Sequence, residues 1–221
     1  MFSDLESFWS QVDHVLLDMD GTLLDKYFDD YFWETYVPEV YANKHNLSVT
    51  EAREELLARY KSREGTLAWT DLDLWSNELG LDIPNLKSQV DHLIAVHPYV
   101  IDFFRHCQKI GKKTYLVTNA HSKTLDIKMA KTALQGYFDK IVCSMEVGLA
   151  KEDPVFWERL GTLISFDPER TMLADDTEKV LLSAEKAGLK HLVYVAKPSS
   201  REPVRPSKRF HSITYFKELI L

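Results

Sequence analysis

The feature that most narrows the fold is an alternation of short, largely apolar runs with longer amphipathic stretches. Val15-Leu16-Leu17, Thr114-Tyr115-Leu116-Val117, Ile141-Val142-Cys143, Thr171-Met172-Leu173 and His191-Leu192-Val193-Tyr194-Val195 are too short for helices and lack a regular polar face. Strands of this kind are covered on both sides, as in a parallel sheet packed between helices. The segments between them read as helices. Pro98 occupies a first-turn position in a stretch carrying Val100, Ile101, Phe104 and Cys107 and ending at Gly111. Asp153-Pro154 opens another, with Val155, Phe156 and Leu160, while Leu181, Leu182, Ala184 and Ala187 form a stripe closed by Gly188. Strand and helix in regular succession predict an α/β fold with a doubly wound parallel sheet.

One region departs from the alternation. Residues 26–94 contain helical patterns over 31–46, 50–63, 72–79 and 86–93, punctuated by Gly80 and Pro84, and Ser48 with Glu51 has the spacing of a capping box. The expected organisation is a core from residues 1–25 and 95–221 with an inserted helical cap over 26–94; the plainer alternative is an insert that enlarges the core. Residues 197–208, rich in proline and charge, predict a surface loop before a final short element.

At 221 residues the chain can bury roughly 70% of its unfolded surface without stapling. Cys107 and Cys143 therefore read as small core residues of a reducing compartment. The 34 acidic against 27 basic residues, net charge −7, lack the basic excess of a nucleic-acid binder. No apolar run approaches the ~18 residues of a membrane span, and residues 1–20 lack the basic start of a signal peptide. These readings predict a soluble cytoplasmic protein without nucleic-acid or membrane partners, a monomer being favoured.

Chemistry concentrates where the strands end. Asp18-Met19-Asp20-Gly21-Thr22 follows the first apolar run, and the carboxyl ends of strands are where open α/β sheets bind ligands. Two close carboxylates resist joint ionisation unless a cation sits between them or one stays protonated, which prepares one as nucleophile and the other as acid/base. A calcium loop would place its glycine at position six between helices, unlike Gly21, and a plain turn is the remaining alternative. Thr118-Asn119 ends the second run ahead of His121-Ser122, a hydroxyl, an amide and a helix start suited to phosphate or, equally, to helix capping. Lys151, ahead of the helix at Asp153-Pro154, could hold an anion or be an ordinary surface lysine. Asp175-Asp176 after the fourth run could hold a divalent cation or simply face a helix N-terminus.

In this order, D-M-D-G-T, strand-Thr, Lys and D-D, the motifs resemble the haloacid-dehalogenase superfamily of phosphohydrolases, and the likeness covers nearly the whole chain. L-V-T-N-A-H, L-A-K-E-D-P-V-F-W and A-D-D-T-E are similar to the bacterial GMP/IMP 5′-nucleotidases. The resemblance implies that Asp18 forms an aspartyl-phosphate and that Asp20 protonates the leaving oxygen and then activates water. It implies that Thr118, with Asn119 beside it, binds the phosphoryl oxygens and that Lys151 holds nucleophile and phosphate together. Mg²⁺ would be bound by Asp18, Asp176, the backbone carbonyl of Asp20, and Asp175 directly or through water. The implied function is hydrolysis of purine 5′-nucleoside monophosphates. Alternatives are a sugar-phosphate phosphatase or mutase-like phosphotransferase, and a binding module without turnover. Tyr27, Phe28, Tyr31, Phe32, Trp33 and Trp69 could stack a base or simply pack a core. Arg59, Lys61 and Arg63 read as a solvated face, His121 as a cap neighbour and His97 as structural.

Overall fold

The computed structural model describes residues 5–221. Residues 1–4, which belong to the expected core segment and to the stretch read as lacking a signal peptide, lie outside them. The chain opens with α1 (Leu5–Ser10) and β1 (His14–Leu17). It then runs through α2 (Tyr27–Tyr31), a π turn at Phe32–Tyr36, α3 (Val37–His45), α4 (Val49–Lys61), α5 (Leu67–Thr70), α6 (Leu72–Leu79) and α7 (Ile83–Gln89). After α8 (Val100–Lys109) come β2 (Lys113–Thr118), α9 (Ser122–Thr132), β3 (Lys140–Cys143), α10 (Ser144–Val147) and α11 (Pro154–Leu163). The chain closes with β4 (Thr171–Asp175), α12 (Glu178–Lys186), β5 (His191–Val195) and β6 (His211–Ile213).

All six strands are parallel, in the order β3-β2-β1-β4-β5-β6. The chain winds outward from β1 through β2 and β3, then returns to the other side of β1 at β4. That reversal opens a crevice at the carboxyl ends of β1, β2 and β4. Register does the rest: Leu17 pairs with both Leu116 and Ala174, so one residue further Asp18 stands level with Asp175.

Side chains alternate across the sheet as the pleat requires. Val15, Leu17, Met172 and Ala174 face one layer with Phe103 and Phe104 of α8. Leu16, Val117 and Leu173 face the other with Phe156, Trp157 and Leu181. Each fully buried Val, Leu, Met or Phe among them stabilises the fold by roughly 1.5–3 kcal/mol.

Between β1 and α8 the regular elements are all helical. The chain enters and leaves this block side by side: Leu24 bridges Val96, and His97 N donates to Leu23 O at 2.9 Å. The Ser48–Glu51 capping box forms. Two expectations shift. Pro98 precedes α8, because Tyr99 at φ 67° turns the chain before the helix begins. The helix anticipated over 86–93 starts at Ile83, where Asp82 accepts from Asn85 N at 3.1 Å and Pro84 sits harmlessly in the first turn. The 197–208 stretch lacks regular structure, and the short element after it is β6, followed by a 3₁₀ turn at Phe216–Leu219. Cys107 and Cys143 are buried free thiols.

Candidate active site

Asp18 lies one residue beyond β1 and is 7% exposed. The chain then turns on itself, Leu24 N donating to Met19 O at 2.8 Å and Gly21 N to Leu24 O at 2.8 Å. Gly21 has φ 88°, which favours glycine. A Cβ there would also collide with the Asp176 carboxylate and lie 2.9 Å from Pro198 Cβ.

Lys151 is the hub of the site. Its Nζ donates to Asp18 Oδ1 at 2.5 Å, to Asp175 Oδ2 at 2.8 Å and to Val117 O at 3.1 Å. Gly148, at φ 78°, ends α10 and releases the chain toward this position. Lys151 N donates to Asn119 Oδ1 at 3.0 Å, and Lys151 O accepts from Ser183 Oγ, which itself accepts from Trp157 Nε1 at 2.8 Å. Burial works against the ammonium, but the Asp175 and Asp18 carboxylates overcome it and hold Lys151 above the usual lysine range.

One lysine does not neutralise the acids around it. Asp18, Asp175 and Asp176 place carboxylate oxygens within 4.8 Å of one another. Burial, then repulsion from Asp18, pushes Asp175 up to about 7 against the opposing pull of Lys151. Burial and the charges of Asp175 and Asp18 push Asp176 well above the usual carboxylate range. Asp175 is already engaged at both oxygens, by Lys151 and by Thr177 N at 2.8 Å, while among the described residues Asp176 has only a 3.5 Å contact from Thr177 Oγ1. Clustered hard oxygens short of positive charge suit a divalent cation.

One oxygen of Asp20 is held by a different lysine. Its Oδ1 accepts from Lys128 Nζ at 2.5 Å, and burial pushes its carboxyl up to about 6 even though Lys128 opposes the shift. Lys128 also bonds Asp29, which takes a further bond from Lys87 at 2.7 Å. Sequence reasoning did not single out Lys128, Asp29 or Lys87. Thr118 is buried, its Oγ1 accepting from Ala120 N at 3.0 Å. Asn119 spends both ends of its amide on the Lys151 segment, its Nδ2 donating to Glu152 at 2.9 Å.

Asp18, Asp20, Thr118, Asn119, Lys151 and Asp176 all open onto one cavity of about 590 Å³. Its opposite wall comes from the helical block and includes Trp33, Tyr60, Lys61 and Trp69. Tyr60 meets Trp33 and Trp69 edge-on, with ring centroids 5.2 and 5.9 Å apart. Phe28 and Phe32 are core residues. Arg59 and Arg63 pair with Glu55 and Glu78. His121 itself caps α9, its Nδ1 accepting from Lys123 N at 3.3 Å, and buried His97 lies 3.1 Å from Pro198 O.

Residues 12–188 match the model of the haloacid dehalogenase-like hydrolase family. The chain is 35% identical over 212 residues, 96% of each chain, to the GMP/IMP nucleotidase YrfG of Escherichia coli (strain K12). Among solved structures it resembles a HAD phosphatase from Thermococcus onnurineus, with TM-score 0.77 and 25% identity over 94% of this chain and 96% of that one. The HAD-hydrolase YfnB of Bacillus subtilis, solved bound to magnesium, shares the fold at TM-score 0.64 and 18% identity over 94% and 96%.

Proposed function

The chain belongs to the haloacid dehalogenase-like hydrolases and is a phosphoric monoester hydrolase, and from that premise we propose that it hydrolyses purine 5′-nucleoside monophosphates, GMP and IMP, with Mg²⁺. The observation that carries the reading is the convergence of Asp18, Lys151 and Asp20 on one cavity whose far wall is aromatic. The 35% identity to a GMP/IMP nucleotidase supports the substrate class.

In this reading Asp18 attacks phosphorus, forming an O–P bond as the bond to the leaving oxygen breaks. Asp20 gives that oxygen a proton, then takes one from the water that releases phosphate and frees Asp18. Splitting one displacement into two lowers each barrier. Catalysis of phosphoryl transfer is mainly positioning and charge neutralisation. Lys151 supplies part of that neutralisation at Asp18, and Thr118 offers its hydroxyl to the phosphoryl oxygens. Asn119 lines the same pocket and braces Lys151. The carboxylate cluster fits a hard divalent ion: Asp18, Asp176 and the Asp20 carbonyl would hold Mg²⁺, with Asp175 beside them or bound through water. When bound, the ion offsets repulsion between Asp18 and the phosphate dianion.

The helical block over 26–94 acts as a cap, reached through the two adjacent crossings at Leu24 and Val96. Trp33, Tyr60 and Trp69 supply faces or edges to a purine, worth roughly 1–3 kcal/mol if one base stacks. The setting is a cytoplasmic monomer acting on a small phosphomonoester. No helix among the described residues is long and apolar enough to cross a membrane.

Phosphate release over a panel of nucleoside monophosphates and sugar phosphates tests the proposal. GMP and IMP should give the highest kcat/KM; a preference for sugar phosphates rejects the nucleotide reading. Binding of GMP without phosphate release rejects turnover.

A further inference from the structure

At the cavity wall, four charged side chains from four different parts of the chain form one chain of ion pairs, of which Asp20, Asp29 and Lys87 line the cavity and Lys128 lies behind them. Asp20 comes from the loop after β1, Asp29 from α2, Lys87 from α7 and Lys128 from α9. Lys128 Nζ bridges Asp20 Oδ1 at 2.5 Å and Asp29 Oδ2, and Lys87 Nζ meets Asp29 Oδ1 at 2.7 Å. The Lys87 and Lys128 side chains are 2% and 1% exposed. The Lys87 ammonium also lies 4.9, 4.7 and 5.6 Å from the ring centroids of Phe28, Phe32 and Trp33, and Lys128 lies 5.2 Å from that of Phe28.

Packing gives no reason for these charges. Apolar side chains of similar size often replace buried ion pairs without loss of stability, so a stability role accounts poorly for two buried lysines. What the charges do is fix one carboxyl oxygen. Oδ1 of Asp20 is tethered, while among the described residues no protein donor reaches Oδ2, and Asp20 lines the cavity.

We propose that Lys128, itself clamped by Asp29 and Lys87, is a positioning residue that aims the free oxygen of Asp20 at the leaving-group oxygen. The assignment rests on the phosphohydrolase reading and extends it to three residues outside the motifs. Lys128 keeps its own proton throughout. The proton given to the leaving oxygen is that of Asp20, and the one recovered comes from water. Because Asp29 and Lys87 belong to the helical block, docking of that block sets the aim of the acid.

The test compares two leaving groups in Lys128→Met. An alkoxide such as the nucleoside 5′-oxygen needs a proton as it departs, whereas p-nitrophenolate does not. Positioned acid catalysis contributes about 10²–10⁴-fold, so kcat/KM for GMP, set by the step that forms the aspartyl-phosphate, should fall about 100-fold and kcat/KM for p-nitrophenyl phosphate only a few-fold, while kcat for both also carries the shared hydrolysis of that intermediate. Lys128→Arg, which keeps a charged donor, should recover part of the GMP rate. Equal losses of kcat/KM on both substrates, or no loss of kcat/KM on GMP, overturn the proposal. If thermal unfolding shows that Lys128→Met does not fold, Asp29→Asn is held to the same selective loss and the same overturning results. The wild-type enzyme separates the two levels of the argument. If it acts on sugar phosphates and not on GMP, the nucleotide reading fails while the leaving-group comparison proceeds with the sugar phosphate; activity on neither alkyl nor aryl phosphate overturns both.

Discussion

Gly21 passes so close to Asp176 that any side chain at position 21 would run into the Asp176 carboxylate. The turn that presents the first acidic pair and the acidic pair at the end of β4 are thus fitted to each other through a residue with no side chain. Gly21→Ala should displace Asp176 and strain a backbone at φ 88°, costing about 1–3 kcal/mol of stability. Half-maximal activity should need a higher Mg²⁺ concentration than in the wild type. Thermal unfolding and a Mg²⁺ titration of rate check this, and wild-type behaviour in both contradicts it.

Lys151→Met should leave Asp18 and Asp175 without their shared cation. Breaking a buried pair by removing one partner costs about 3–5 kcal/mol, and Lys151 is only 2% exposed. The expected result is a lower urea midpoint together with loss of turnover. Retention of either property contradicts the role given to this lysine.

The carboxyl of Asp175 stands at about 7 in the folded protein, raised from an unfolded value of 3.8 chiefly by burial. A group raised in this way lends stability below its unfolded value and withdraws it as pH climbs through the folded one. A cation bound to the ionised carboxylates competes with those protons. Added Mg²⁺ should therefore raise Tm little at pH 5 and markedly at pH 8, and a chelator should reverse the gain and stop hydrolysis. A Mg²⁺ effect on Tm that is independent of pH, or turnover that survives chelation, contradicts the assignment.

Asp18→Asn removes the nucleophile at nearly constant volume. Turnover should fall by roughly 10⁴-fold or more, on the scale seen when other covalent catalysts lose theirs. Circular dichroism should be unchanged. Activity near the parent level contradicts the role of Asp18.

The motifs were readable because each is local. A strand end, a glycine turn and two acids leave their mark within five residues, and parallel register places Asp18 level with Asp175 once β1 and β4 pair. The chain of charges behind Asp20 left no such mark. Lys128 is 108 residues from Asp20 and 99 from Asp29, and on α9 it reads like any solvated lysine. β6 has three residues, too few for a period to show. The start of α7 was obscured because Pro84 signals both a helix start and a break. In sequence Asn119 stands beside a phosphate-binding Thr118, but its amide is bound to the Lys151 segment, a tie visible only after β2 and the loop beyond α10 come together.

The central claim is that Asp18 carries the phosphoryl group during turnover. Rapid acid quenching during hydrolysis of a nucleoside monophosphate with radiolabelled phosphate, followed by peptide mapping, tests it most directly. The account predicts hydroxylamine-sensitive label on the peptide containing Asp18, absent from Asp18→Asn. Label on another residue, or brisk turnover with no labelled peptide at any quench time, contradicts it.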